Sequence, residues 1–319
     1  MSKPVPGTAI NCKRHIPPPM HIKVTNGMPK ISFPEDIWIG GDKLEDILCD
    51  AKAQILNSTS VRFLIPTGAK VLIDAAVIFL SLINQLATNK LNITIDFESE
   101  DSVVMGYFNR MGFFDHLHSR ITILPAKPLF SGAQLYGNQN RGLVEIVKIN
   151  PVDYDENLPS RFADVLEAKN KRLGKAAFTI FGELIDNVLG HSSTKLSAFA
   201  ALQSYKNGTM VVVSDSGKGL LETLRPKLPK RFVQVSDIDI VVEAFAKGLS
   251  RHGNKSGRGC GLTTCALKAK QFHGKLHVRL ADTRVNLVPS DEAYEHDTAI
   301  CYDDLFPIRG THIVFDFNC

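Results

Sequence analysis

Hydrophobic and polar positions in the first half of the chain switch between the periods of helices and strands. Apolar residues in 44–56 repeat with a helical period, and residues 71–88 form a nearly continuous apolar segment of helical length. Short strands are predicted at 61–65, 93–97 and 121–124. Because strands and helices alternate, we expect an α/β layered domain in which residues 71–88 form a buried helix.

The pattern is interrupted near the middle of the chain and then resumes. Ser99 is a candidate N-cap for a helix that ends near residue 114. Residues 131–141 are rich in glycine and amides and have no period, so we place a domain boundary there. Further strands are predicted at 143–149, 210–214, 276–280 and 312–317, and further helices at 158–167, 175–189 and 262–272.

These elements divide the chain into three parts. Residues 1–30 are proline-rich and are predicted to be an extended arm, residues 31–130 an α/β accessory domain, and residues 143–319 a second domain. Within the second domain, residues 281–309 are acidic and are predicted to be a loop. This insert is either a solvated loop or a docking surface for a basic partner.

Composition excludes several classes of protein. The chain has 319 residues, 44% of them hydrophobic, and a formal net charge of +4, which gives no indication of a nucleic-acid partner. Its six cysteines form no Cys-x-x-Cys pair, which favours free thiols in the cytoplasm and argues against zinc. The N-terminal stretch lacks the apolar core of a signal peptide, and residues 71–88 are too short and polar to cross a membrane.

Three polar side chains recur at four-residue spacing on the predicted helix 175–189 and just beyond it. Glu183, Asn187 and His191 fall about 40° apart on the helical wheel and form a polar stripe beside the apolar one. Asparagine is a poor residue in the middle of a helix, so its presence calls for an explanation. Alone, this stripe also fits an ordinary solvent-exposed helix edge.

Two glycine-rich segments follow the polar helix. Asp215 ends a predicted strand and is followed by Gly217 and Gly219, a pattern that suits close approach of a ligand to the backbone. The glycines of the second segment precede a predicted helix, whose N-terminus would favour phosphate; they are Gly257, Gly259 and Gly261. No strand directly precedes this segment and no P-loop motif is present, which argues against Rossmann and P-loop folds.

The order of these segments is more specific than any one of them. Glu-x3-Asn-x3-His on a helix, Asp-x-Gly-x-Gly after a strand, Gly-x-Gly-x-Gly-Leu before a helix and Gly310-Thr311 opening a last strand follow one another. This order resembles the GHKL superfamily of ATPases, shared by DNA gyrase, heat-shock chaperones, histidine kinases and mismatch-repair ATPases. The resemblance covers about residues 143–319 and implies an α/β sandwich with helices over one face of a mixed sheet.

The resemblance also implies a role for each matching residue. Asn187 would hold Mg²⁺ with the phosphates of ATP, Asp215 would bind the adenine amine, and Glu183 would activate water. Thr311 would support Asp215, and residues 220–256 would be a mobile lid over ATP. Glycines of both segments would shape the adenine pocket or line the phosphates; they are Gly217, Gly219, Gly257, Gly259 and Gly261.

The first domain resembles the STAS fold of anti-sigma-factor antagonists in its order of strands and helices. In phosphorylated antagonists a serine follows an aspartate at the start of the long helix, whereas here Ala75 follows Asp74. The domain order leaves three functions open: ATP hydrolysis that drives a lid-based conformational switch, phosphoryl transfer to a protein serine, and nucleotide-gated binding without turnover. We expect a protein partner, and the sequence leaves homo-oligomer formation open.

Overall fold

The fold is known from a computed structural model of the chain. It describes residues 23–25, 28–137, 139–150, 152–153, 155–191, 197–228, 230, 233–247, 261–288 and 298–317. In this part of the chain, no helix has both the length and the apolar content required to cross a bilayer.

The first part of the chain forms a five-stranded sheet and three longer helices. Its elements are β1 (Lys23–Thr25), β2 (Met28–Ser32), β3 (Trp38–Ile39), α1 (Gly41–Leu56), β4 (Ser60–Leu64), β5 (Lys70–Val71), α2 (Ile73–Thr88), β6 (Asn92–Asp96), α3 (Val103–Arg110), β7 (Ile121–Leu124) and α4 (Gly132–Tyr136). The sheet order is β1-β2-β4-β6-β7, with β1 antiparallel to β2 and the other neighbours parallel. The predicted α/β layering is therefore confirmed.

Two details of this part differ from the sequence prediction. Strands β1 and β2 pair within the predicted arm, and the Asn26-Gly27 dipeptide between them is a common hairpin signal. The cap of α3 is Ser102, whose Oγ accepts a hydrogen bond from the backbone nitrogen of Met105, at 3.4 Å. Ser99 instead accepts from the Asp101 nitrogen in a local turn, which leaves it outside the helix.

The second part of the chain forms a seven-stranded sheet covered by helices. Its elements are β8 (Leu143–Ile149), α5 (Leu158–Glu167), α6 (Lys171–His191), β9 (Ala198–Tyr205), β10 (Gly208–Asp215), α7 (Leu220–Leu224), α8 (Asp237–Lys247), α9 (Gly261–Gln271), β11 (Lys275–Ala281), β12 (Thr283–Val288), β13 (Thr298–Tyr302) and β14 (Ile308–Phe317). The sheet order is β13-β12-β11-β14-β10-β9-β8. The α/β sandwich is confirmed.

The strand directions correct one expectation. Every neighbouring pair in the seven-stranded sheet is antiparallel, whereas the resemblance implied a mixed sheet. Short connections join β9 to β10 and β11 to β12, and strands joined by short turns pair antiparallel.

The segment 281–309 is also more ordered than predicted. It contributes β12 and β13, which extend the sheet, so the prediction of a loop was wrong for these residues. Val285, Leu287 and Cys301 are buried there, and their apolar character was the signal that the acidic residues obscured. Asp304 accepts a hydrogen bond from Lys52 of α1 at 2.6 Å. Residues 289–297, which hold much of the acidic charge, lie outside the described residues.

Helix α2 lies between the two sheets. It contacts β6 and β7 on one side and β9, β10 and β14 on the other. Nearly all of its residues are buried, as expected of a helix that is apolar around its whole circumference. Val212 and Val314 of the large sheet join the α2 core, while Val211 and Ile313 pack under the outer helices. Strands β8, β9, β10 and β14 of the large sheet therefore contribute buried residues to both cores.

Candidate functional site

A cavity opens between α6, the carboxyl end of β10, and the first turns of α7 and α9. Its apolar walls are formed by Leu184, Val188, Val213, Leu220, Leu262 and Ile313. Its polar contributors are Asn187, Asp215, Gly219, Thr223 and Thr311. A mostly apolar cleft with a few convergent polar groups is the usual form of a small-molecule site.

Asp215 is the charged residue of this cavity. Alternation along β10 places Asp215 on the same face as Val211 and Val213, toward the outer helices. Its Oδ1 accepts a hydrogen bond from the backbone nitrogen of Gly217 at 2.9 Å. Burial raises the pKa of the Asp215 carboxyl, and the Gly217 N–H partly offsets this rise. A ligand that donates a hydrogen bond would stabilise the charged form.

Two glycines allow the backbone around Asp215 to pack closely. Gly310 has φ of +99°, and a Cβ atom there would overlap the carbonyl oxygen of Asp215. Gly219 has φ of +79°, and its Cβ position lies 3.0 Å from the carbonyl oxygen of Gly310. Positive φ and close contact both favour glycine. The β10 end, the start of α7 and the first residues of β14 therefore form one tightly packed corner.

Thr311 links β14 to the first turn of α7. It lies opposite Asp215 in the β10–β14 pairing, and its Oγ1 accepts a hydrogen bond from the Leu220 nitrogen at 2.8 Å. This bond satisfies one of the unpaired N–H groups at the start of α7. Gly219, Leu220 and Thr311 all border the cavity, so the contact fixes part of its wall.

Helix α6 brings Asn187 to the cavity and places Glu183 one turn earlier. The Glu183 side chain is exposed, and it is not part of the cavity lining. Burial, and to a smaller extent the nearby Glu183 carboxylate, raises the pKa of the Cys265 thiol to about 12. Because Cys265 belongs to the second turn of α9, Glu183 lies on the side of the cavity where α9 begins. His191 is the last residue of α6.

The second glycine segment lies largely outside the described residues. Gly257 and Gly259 belong to that part of the chain, and Gly261 is the first residue of α9. The start of α9 borders the cavity through Leu262. Gly217 donates to Asp215 from the turn after β10. Among the described residues, no group of three or more His, Cys, Asp or Glu side chains could hold a metal ion.

The sequence prediction missed Thr223 and most of the apolar lining. Thr223 follows Leu220 by one turn of α7, and its Oγ1 donates to the Leu220 carbonyl oxygen at 2.8 Å. The only signal for it was its position in an apolar stretch that begins directly after Gly219. A side chain there enters the cavity only because Gly219 and Thr311 set the direction of α7.

The described part of the predicted lid packs on its own domain. In α8, Val241 and Phe245 are buried in the core shared with α6 and α9. Leu224 of α7 packs against Ile240 and Ala244 of α8 in a small separate cluster. Most of the described apolar residues of this segment are thus at least partly covered, although Val233 is exposed. Residues 248–256 of the lid lie outside the described residues.

The cavity with its buried aspartate lies between α6 and the glycine-bounded end of β10, where the resemblance to the GHKL superfamily implies a nucleotide site. Residues 174–315 match the family model of the histidine kinase-, DNA gyrase B- and HSP90-like ATPases. This match confirms the resemblance to the GHKL superfamily for residues 174–315. Comparison with curated proteins and comparison with solved structures found no match.

Proposed function

We propose that the chain binds ATP with Mg²⁺ in the cavity at Asp215 and hydrolyses it. The observation that carries this proposal is the buried carboxylate facing a mostly apolar cleft in a region that matches the model of an ATPase family. A carboxylate in that position suits the exocyclic amine of adenine, and the apolar walls suit the faces of the ring.

The opposite side of the cavity suits the phosphates. The N-terminus of α9 follows a glycine run, and helix N-termini favour phosphate through free N–H groups and the helix dipole. Asn187 supplies one amide oxygen at the cavity edge. That fits Mg²⁺, which usually takes one or two protein ligands together with substrate phosphates and water.

Glu183 is our candidate for the general base that activates water. It belongs to the same helix as Asn187 and lies on the α9 side of the cavity, where we place the phosphates. In the alternative function, a protein serine would take the place of water and the same carboxylate would accept its proton. A nucleotide-gated module without turnover would use only the binding residues.

Release of labelled phosphate from γ-labelled ATP tests the catalytic part of the proposal. Replacing Glu183 by glutamine removes the base and keeps the shape, so we expect turnover to fall by about 10²–10⁴-fold with ATP affinity retained. Glu167→Gln is the matched control, because Glu167 is also exposed but belongs to α5, which contributes no residue to the cavity.

The outcomes separate the three functions. Free phosphate that depends on Glu183 supports hydrolysis, whereas label recovered on a protein supports transfer. Affinity for ATP without either product leaves the nucleotide-gated module. If Glu183→Gln loses affinity and turnover equally, Glu183 is a structural residue and our assignment is wrong.

A further inference from the structure

The end of β10 is held from the side opposite the cavity. Ser214 and Ser216 flank Asp215, and their hydroxyl groups contact α2 of the N-terminal part. Ser214 Oγ lies 2.6 Å from Ser81 Oγ, and Ser216 Oγ accepts a hydrogen bond from Gln85 Nε2 at 3.1 Å. Ser81 and Gln85 are one helical turn apart, so a single face of α2 makes both contacts.

Gln85 also binds the backbone of the neighbouring strand. Its Nε2 donates to the Arg309 carbonyl oxygen at 3.0 Å, and its Oε1 accepts from the Arg309 nitrogen at 2.9 Å. The amide thus pairs with both the N–H and the C=O of Arg309 while it also donates to Ser216. Gln85 is buried, so removing it would take away the partner of the Ser216 hydroxyl and of the Arg309 N–H.

Ser216 and Arg309, the two residues that Gln85 bonds, are next to residues that shape the cavity. Arg309 directly precedes Gly310, which packs against the backbone of Asp215 and Ser216. Thr311 follows and holds the first turn of α7. A shift of Arg309 would therefore move Gly310 away from Asp215, and it would also move the wall formed by Gly219 and Thr311.

A second contact continues the same network. Ser214 Oγ lies 2.6 Å from Nδ1 of His312, and Nε2 of His312 lies 3.1 Å from the Arg309 carbonyl oxygen. Burial, with a smaller effect of Arg279, lowers the pKa of His312 to about 3. His312 is therefore neutral at physiological pH and can accept a hydrogen bond at one nitrogen and donate at the other.

We propose that Gln85 of α2 is a positioning residue of the nucleotide site, which holds Asp215 in its binding geometry through Ser216 and Arg309. The N-terminal part thereby sets the nucleotide affinity of the C-terminal part. This inference rests on the proposed function, because it assigns Asp215 to the adenine. By linkage, any ligand or partner that displaces α2 weakens nucleotide binding, and nucleotide stabilises the α2 contact to the same extent.

The test compares two amides on the same helix. Asn84 precedes Gln85, and among the described residues its side chain bonds only within the N-terminal part. It donates to the His116 carbonyl oxygen at 2.9 Å and accepts from the His118 nitrogen at 2.8 Å. Calorimetric titration of the full chain with Mg-ATP is carried out for the wild type, Gln85→Ala and Asn84→Ala, below the unfolding temperature of each variant.

We expect Gln85→Ala to weaken Mg-ATP binding by about tenfold, which corresponds to roughly 1.4 kcal/mol. Asn84→Ala should stay within about twofold of the wild type, although it also loses stability through its two lost hydrogen bonds. Equal affinities of the two variants would overturn the proposal. If Gln85→Ala does not fold, Gln85→Met fills the same space without the hydrogen bonds and carries the same expectation.

A second readout needs no nucleotide. The pKa of the Asp215 carboxyl, followed by carbon NMR of the full chain, should shift toward its ordinary value in Gln85→Ala and stay unchanged in Asn84→Ala. An unchanged value in both would contradict the positioning role. A wild type that fails to bind ATP would refute the proposed function, whereas the Asp215 titration would still decide the role of Gln85.

Discussion

Gly310 of β14 packs directly against the backbone of Asp215 and Ser216 at the end of β10. Its positive φ and its position against the Asp215 backbone leave no space for a side chain. The preceding residue is bonded to Gln85 and the following one to Leu220. The corner that holds Asp215 therefore depends on the absence of a Cβ atom at one position.

Replacing Gly310 by alanine should disrupt this corner. The overlap with Asp215 and the unfavourable φ together predict a loss of at least about 2 kcal/mol in the free energy of unfolding, measured with urea. Gly106 in α3 is the matched control, because its Cβ position has no atom within 4 Å. Gly106→Ala should raise the stability by about 0.5–1 kcal/mol. Similar effects of the two changes would contradict the close packing at Gly310.

Single residues of the site were predictable only where they belong to a recognisable spacing. Asn187, Asp215 and Thr311 follow from the order of the motifs, and all three line the cavity. Gln85 could not be predicted, because it lies in an apolar helix about 130 residues before β10 and its role depends on how that helix docks. Apolar periodicity predicts local helices and strands, but it does not predict contacts between elements that are far apart in the sequence.

At the scale of elements, the segment after Gly219 connects the cavity to the outer helices. Leu220 and Thr223 of α7 line the cavity, while Leu224 packs against α8. Arg225 forms an ion pair with Asp237 at the start of α8. A ligand in the cavity would therefore contact one side of a packed pair of helices. We propose that this pair responds to nucleotide as the lid of the domain.

Hydrogen exchange tests this response. With a non-hydrolysable ATP analogue at saturation, amides of α7 should exchange more slowly, because the ligand would cover one side of that helix and hold it on β14. Amides of α5 provide an internal reference that should not change. Unchanged exchange throughout 220–256 would show that the lid remains packed in one state and would contradict the switch.

Some elements were predictable and others were not, for a physical reason. Helices α1, α2, α5, α6 and α9 have strong helical periods, and the structure contains all five near the predicted positions. Strands β9, β12 and β13 were missed because they are buried on both faces or lie among acidic residues. Such strands lack the alternation that marks a half-buried strand.

At the scale of the whole molecule, the two sheets are joined by α2 and by a buried ion pair. Glu45 of α1 accepts hydrogen bonds from Arg279 of β11 at 2.7 and 3.2 Å, and both side chains are nearly inaccessible to water. Arg279 also donates to the Phe306 carbonyl oxygen. The N-terminal and C-terminal parts therefore share polar as well as apolar contacts.

Replacing Glu45 by glutamine should destabilise the whole chain. The change leaves a buried guanidinium without a counter-charge, and we expect a loss of about 3–5 kcal/mol in the free energy of unfolding. Asp304→Asn breaks the exposed pair with Lys52 between the same two parts and should cost less than about 1 kcal/mol. Because the core around α2 contains residues of both sheets, unfolding in urea should remain a single transition for both variants. Equal losses in the free energy of unfolding would show that the buried ion pair contributes no more to stability than the exposed pair.

Calorimetric titration of Asp215→Asn with Mg-ATP is the most direct test of whether Asp215 binds the adenine of ATP. The change spoils a charge-assisted hydrogen bond and keeps the size of the side chain. We therefore predict a loss of about 1–3 kcal/mol, or roughly 5- to 150-fold in affinity. Asp316→Asn is the matched control, because burial also raises the pKa of Asp316 but this residue does not line the cavity. Wild-type affinity in Asp215→Asn, or an equal loss in Asp316→Asn, would contradict the assignment of Asp215 to the adenine.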